Sequence, residues 1–220
     1  MDNIVIIGSS WHAKVVIDIV QKEKRYQIAG LLDRYRKIDE RTLGCRILGR
    51  EEDLPELIRI HSIKGAIVAI GDNFVRSKVA ALVRELCPGL PFVSAVHPNA
   101  SIATEVSIGE GTVIMAGVSI NPCTSVGRFC ILNTNSSLDH DSVMDDFSSL
   151  APGATTGGNC RIGKYSAISI GAVLIHGVEI GEHAVIGAAS LVMTSIESCV
   201  VAYGTPAKTV RSRKPGDKYL

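Results

Sequence analysis

Along the second half of the chain an aliphatic residue returns at every sixth position: Ile102, Ile108, Ile114, Ile120, Val126, Leu132, Leu138, Met144, Leu150, then Ile162, Ile168, Leu174, Ile180, Ile186 and Val192. Only Thr156 breaks the series. Fifteen matches in sixteen consecutive positions, with no insertion, mark an internal repeat. Four residues after most of these lies a small or β-branched side chain, among them Thr112, Cys130, Ser136, Ser142, Ala154, Cys160 and Ser166. A period of six is far from the 3.6 of a helix, but it is even, so it returns each residue to the same face of an extended strand. The pattern predicts a β-helix with both positions pointing inward. Cys130 and Cys160 then sit at the small inward position, where packing explains them better than metal binding or nucleophilic chemistry.

The first half has a different rhythm. Ile4–Ile7 is a short apolar run ending at Gly8-Ser9-Ser10, and residues 12–20 follow with helical spacing. A second strand is expected over 26–32, closed by Asp33-Arg34. A third is expected over 66–70, closed by Gly71-Asp72-Asn73, with an amphipathic stretch over 74–86. Strand and helix alternate, which predicts a parallel sheet of βαβ units with ligands outside the carboxyl ends of the strands. The candidate contacts are therefore Gly8 to His12, Asp33, Arg34 and Gly71 to Asn73. Gly8 is followed by Ser9, Ser10, Trp11 and His12 rather than by the remaining glycines of a dinucleotide fingerprint, so a mononucleotide or nucleotide sugar fits better than a dinucleotide. Gly8 and Gly71 are equally compatible with tight turns alone, and Arg34 with a solvated charge. Asp33 could accept hydrogen bonds from ribose hydroxyls, as acids at the end of a second strand do in nucleotide folds.

The expected organisation is thus α/β plus all-β: a small Rossmann-like βαβ domain over 1–95 and a parallel β-helix over 96–220. Composition narrows the picture further. The 220 residues carry 23 basic and 22 acidic side chains, which disfavours nucleic acid as the main ligand. No apolar run approaches the roughly 18 residues needed to span a bilayer, and the first residues show neither a basic region nor a cleavage site. Six cysteines lack C-x-x-C or zinc-finger spacing, as expected of free thiols in a reducing compartment. These features predict a cytoplasmic protein without a membrane partner. Only 5% of residues are aromatic, so the core must be built from small and aliphatic side chains.

One repeat departs from the usual Gly, Asn, Asp or Pro at its turn: Leu138-Asp139-His140-Asp141-Ser142-Val143. His140 falls two places after the aliphatic position, hence at a corner or outward face. A flanking carboxylate, Asp139 or Asp141, could fix its tautomer and make it a general base. A solvated turn histidine gives the same sequence pattern.

The segments Ile4–Val16, Val96–Ser101, Asn133–Asp141 and Gly204–Lys208 together resemble the sugar O- and N-acetyltransferase family of the hexapeptide-repeat acyltransferases, with the likeness running over about residues 3–210. The resemblance implies a left-handed β-helix, three hexapeptides to an 18-residue coil, a homotrimer, and acetyl-CoA as co-substrate without a metal. It implies His140 as catalytic base and Asp141 as its partner, within an N-T-x-x-x-x-x-H-[DE] motif. It places a nucleotide-linked amino sugar against Ser9, Ser10, Asp33, Gly71, Asp72 and Asn73, with His12 near the sugar. It also places acetyl-CoA against Gly158, Ile170, Gly187 and Ala188, with Lys208 near the CoA phosphates. The activity implied is N-acetylation, at C4, of a precursor of a surface glycan such as lipopolysaccharide O-antigen; sugar O-acetylation is the alternative. Three departures from the family pattern stand out: Ser10 and Trp11 replace glycines, Ser149 replaces a second histidine, and the acid after His140 is Asp rather than Glu.

Two other classes use the same architecture. A γ-type carbonic anhydrase would hold zinc with three histidines. His140 and His176 lie two coils apart, about 10 Å by strand spacing, so zinc would need ligands from across a subunit interface, His183 included. A pure trimerisation spine would leave the Asp-His-Asp corner without a task.

Overall fold

The computed structural model describes residues 1–219. Its chain divides into two compact units, one formed by residues 1–71 and 75–98, the other by Asp72–Phe74 and everything from Asn99 onward. Among the described residues no helix is long and apolar enough to cross a membrane.

In the first unit, β1 (Asp2–Ile7), α1 (Trp11–Glu23) and β2 (Tyr26–Leu32) form the expected strand, helix and strand. They are followed by β3 (Arg41–Thr42), β4 (Cys45–Gly49), α2 (Leu54–His61), β5 (Ile63–Val68) and α3 (Asn73–Leu86). The sheet order is β3-β4-β2-β1-β5, parallel except for the β3–β4 pair. Central β1 reads as four consecutive apolar residues, Ile4–Ile7, because it is buried on both faces. The third parallel strand begins three residues earlier than its apolar run implied. Ile63 and Gly65 already pair with Asn3 and Ile4, while exposed Lys64 interrupts the apolar pattern. The β3–β4 hairpin and α2 had no strong periodic signature. The hairpin turns through Leu43 and Gly44, both with positive φ, and too few residues pair there for an alternation to show.

In the second unit, sixteen two-residue strands between 101 and 192 stack into three parallel faces. One face carries 101–102, 119–120, 137–138, 155–156, 173–174 and 191–192. The second carries 107–108, 125–126, 143–144, 161–162 and 179–180. The third carries 113–114, 131–132, 149–150, 167–168 and 185–186, and is extended by the closing hairpin Val200–Gly204 and Ala207–Ser212. Each residue thus lies directly over the one eighteen positions earlier. From Ile114 onward the aliphatic columns are closed off from solvent, whereas Ile102 and Ile108 at the first coil are not.

The small inward residues do more than leave room. The Thr112 hydroxyl donates to the Gly127 carbonyl at 2.9 Å and accepts from the Cys130 amide at 3.0 Å; Ser142 accepts from the Cys160 amide, and Ser166, three coils on from Thr112, repeats both of its contacts. These bonds satisfy polar groups that a solvent-free bore would otherwise strand. Cys130 and Cys160 are buried in these columns, all six cysteines are free, and burial raises the Cys160 thiol pKa. One corner carries a stack of Phe129, Phe147, Tyr165 and His183, with ring centroids 4.9, 5.5 and 4.5 Å apart. It begins above Gly111, where a Cβ would stand 2.5 Å from the Phe129 ring.

Leu150 is fully buried in the third column. Leu150→Ala is expected to destabilise the protein by about 2–5 kcal/mol, from lost transfer energy and an uncollapsed cavity, read as a lower urea midpoint at fixed protein concentration.

Candidate active site

His140 and Asp141 occupy the corner between the strand at 137–138 and the strand at 143–144. The corner forces a left-handed backbone at its third residue: Glu105, Cys123, Asp141, Asn159 and Gly177, each eighteen apart, all have positive φ. Asp tolerates that conformation better than most residues. Asp141 Oδ2 lies 2.8 Å from His140 Nδ1. A carboxylate only accepts, so the proton sits on Nδ1 and the Nε2 lone pair is left for chemistry. The ring is about half exposed. Its pKa is raised above the ordinary imidazole value, chiefly by the hydrogen bond to Asp141, with the charges of Asp139 and Asp141 adding to it.

Asp139 has a different task. Its carboxylate accepts from the His140 amide at 2.8 Å and from the Asn121 side chain one coil earlier, and these two bonds hold its pKa below the usual carboxylate range, the Asn121 bond first. Asp141 therefore orients the ring, and Asp139 fixes the main chain that carries it.

Gly158 lies directly over His140 in the next coil. A Cβ there would stand 2.5 Å from both Cε1 and Nε2 of the imidazole. Because Gly158 has no side chain, His176, one coil further, brings its ring centroid to 6.2 Å from that of His140. The strand-spacing figure of about 10 Å for this pair is corrected by the structure: the side chains lean into the gap that the glycine leaves. His183 belongs to the aromatic stack at another corner, and among the described residues no group of three or more His, Cys, Asp or Glu could hold a metal ion.

The remaining residues implied for acetyl-CoA do not gather around His140 within one chain. Ile170, Gly187 and Ala188 lie on the corner between the third and first faces, Ile170 and Ala188 one coil apart and both exposed. Lys208 is exposed on the closing hairpin.

In the first unit a cavity of about 520 Å³ is lined by Gly8, Ser9, Ser10, Asp33, Arg34 and Tyr35, with Arg36, Glu51, Ile70, Val75, Lys78, Val79 and Leu82. Its polar residues are largely engaged with each other. Asp33 accepts from the Ser9 amide and hydroxyl and from the Tyr35 amide, which occupies three of its roughly four acceptor positions. Arg34 lies 2.9 Å from Glu52 and 3.4 Å from Glu51. Trp11 is 87% exposed at the start of α1.

His12, in the first turn of α1, has an Nε2 that is shut off from solvent and, among the described residues, has no hydrogen-bond partner. Desolvation, helped by the buried Arg76 guanidinium, lowers its pKa to about 4, so it is neutral at pH 7. Arg76 donates to the carbonyls of Ile70 and Gly71.

Gly71 to Asn73 stand apart from this cavity. They do not line the cavity, and Asp72 and Asn73 cluster with the second unit. Asn73 is 1% exposed, and its amide donates to Ser149 Oγ and to the carbonyls of Tyr165 and Ser166. Its side-chain NH2 group is taken up by these acceptors, Ser149 among them. Asn121 was missed in the sequence because it lies nineteen residues from His140; only the coil length brings them together.

The family model described as the PglD N-terminal domain matches residues 3–83. The chain is 33% identical over 111 residues to GDP-perosamine N-acetyltransferase of Escherichia coli O157:H7, and 32% identical over 121 residues to UDP-N-acetylbacillosamine N-acetyltransferase of Bacillus subtilis. These stretches cover 50% and 53% of this chain and 49% and 52% of the relatives, so the match spans about half the length of each curated relative. Among solved structures, PerB from Caulobacter crescentus in complex with CoA and GDP-perosamine superposes with a TM-score of 0.89 at 34% identity, over 96% of this chain and 98% of that one. The acetyltransferase domain of PglB from Neisseria gonorrhoeae in complex with acetyl coenzyme A gives 0.88 at 28% identity, over 94% and 98%.

If Asp141 raises the His140 pKa as the 2.8 Å contact requires, Asp141→Asn lowers it toward the ordinary imidazole value. An NMR titration of the His140 ring in parent and variant checks this, and an unchanged or higher midpoint in the variant would contradict it.

Proposed function

The chain belongs to the sugar N-acetyltransferase family of hexapeptide-repeat acyltransferases, with a left-handed β-helix after its α/β domain, and on that footing we propose that it transfers the acetyl group of acetyl-CoA to the amine at C4 of a nucleotide-activated amino sugar. The observation that carries this reading is the His140–Asp141 pair with its free Nε2 beside Gly158. The substrate amine attacks the thioester carbonyl, and His140 Nε2 takes the proton as the C–N bond forms. The tetrahedral intermediate then collapses, the C–S bond breaks, and the departing CoA thiolate recovers the proton from the imidazolium. The imidazolium that forms is favoured by the Asp141 carboxylate, the same contact that raises the pKa. Nothing covalent need form on the protein.

The nucleotide occupies the cavity of the first unit, the sugar lying toward His12. Ser9 and Ser10 meet it at the strand-to-helix turn, with Asp33 holding Ser9 in place. Acetyl-CoA lies along the corner of Ile170, Gly187 and Ala188, with Lys208 toward its phosphates. Since that corner and the His140 corner lie at different edges of one triangular coil, a homotrimer that sets the corner of one subunit beside His140 of the next completes the site. The reaction runs in the cytoplasm, in keeping with six unpaired thiols, and its product is a precursor of a surface glycan.

UDP-, dTDP- and GDP-linked 4-amino sugars assayed with acetyl-CoA for thiol release are expected to give turnover with one nucleotide preferred. Analogues with a hydroxyl in place of the amine should give none; turnover of the hydroxyl sugars alone would overturn N-acetylation. Sedimentation is expected to report about three times the 23.4 kDa of one chain, and a fully active monomer would refute a shared site. His140→Asn should lower kcat by about 10²- to 10⁴-fold with little change in either KM, the pattern of an interaction made in the transition state. Activity within threefold of the parent, with chemistry rate-limiting, would rule out His140 as the base.

A further inference from the structure

Thr156 is the one polar residue at the aliphatic positions of the three inward columns, standing between Leu138 and Leu174. It is buried, only 4% exposed. At the twelve equivalent steps elsewhere in the described coils, the amide after the strand donates to the main-chain carbonyl of the aliphatic residue one coil on, as Asn121 does to Leu138 at 3.0 Å and Gly157 to Leu174 at 2.8 Å. At Asp139 the acceptor is instead the side-chain hydroxyl of Thr156, at 3.0 Å. The strand pairing records the same change. Neighbouring strands on this face pair through two residues, whereas 137–138 and 155–156 pair only through Ser137 and Thr155.

The break falls at the residue before His140. Asp139 is held at three places: its amide by Thr156, its carbonyl by the Thr124 hydroxyl at 3.0 Å, and its carboxylate by Asn121 and the His140 amide. A valine or leucine at 156 would fill the bore equally well but would offer Asp139 only the regular main-chain rung. That rung would draw the Asp139 amide to a different acceptor and move the turn that aims the His140 ring at the space over Gly158.

The geometry points to Thr156 as a positioning residue for the acetyl transfer: its hydroxyl sets the Asp139 main chain so that His140 Nε2 stands where the substrate proton is delivered. This rests on His140 being the base, and His140→Asn tests that reading separately. Thr156→Val restores the repeat and keeps the side-chain volume while removing the hydroxyl. Thr156→Ser keeps the hydroxyl and loses a methyl.

A role in packing predicts that Val is fully active and Ser is the weaker variant. Positioning predicts the reverse. Thr156→Val should melt no lower than the parent and lose about 10- to 100-fold in kcat, the order expected of a misplaced catalytic group, with both KM values within twofold. Thr156→Ser should keep kcat within about threefold. If His140→Asn is impaired while Thr156→Val turns over within twofold of the parent, Thr156 has no positioning role. The proposal also falls if Val fails to fold, if Val and Ser lose kcat alike, or if Val raises a KM in place of lowering kcat. Unimpaired His140→Asn removes the base reading, and the proposal with it.

Discussion

The second unit depends on one constraint: a two-residue strand cannot pair within its own coil, so the amide leaving it finds an acceptor in the next coil, seventeen residues on through most of the stack. Two consequences follow. The coil length is locked, because a single inserted residue would turn every later inward side chain toward solvent. Side chains eighteen apart also become direct neighbours, which is why like groups stack into columns of aliphatic residues, small hydroxyls and thiols, and aromatic rings.

The corners are where this lattice leaves freedom, and the His140–Asp141 pair sits at one of them. A left-handed residue at the turn aims Asp141 at the imidazole of its own chain neighbour. A glycine in the next coil keeps the far side of the ring open. Support comes from adjacent coils, through Asn121 and Thr124 below and Thr156 above. The imidazole stands on stacked main chain, and the bonds to Asp139 fix the turn that carries it.

The first unit handles its polar loops in another way. Asp33 closes the turn around Ser9, and Arg34 pairs with two glutamates.

The amino-acid sequence alone determined the repeat, its inward positions and the single break at Thr156, because a period of six fixes which face each residue takes. It also determined β1, α1 and β2, whose apolar runs are long enough to declare their period, and it marked His140 through its flanking acids. It could not determine which acid orients the ring, since Asp139 and Asp141 are equally near in sequence; the corner's positive φ decides for Asp141. It could not find Asn121, nor foresee that Asn73 turns inward or that His176 approaches His140 across Gly158. Those relations join residues 18 to 93 positions apart, which no local pattern encodes. Only the tertiary structure decides them, because distance between coils is set by hydrogen bonding across the stack and not by distance along the chain.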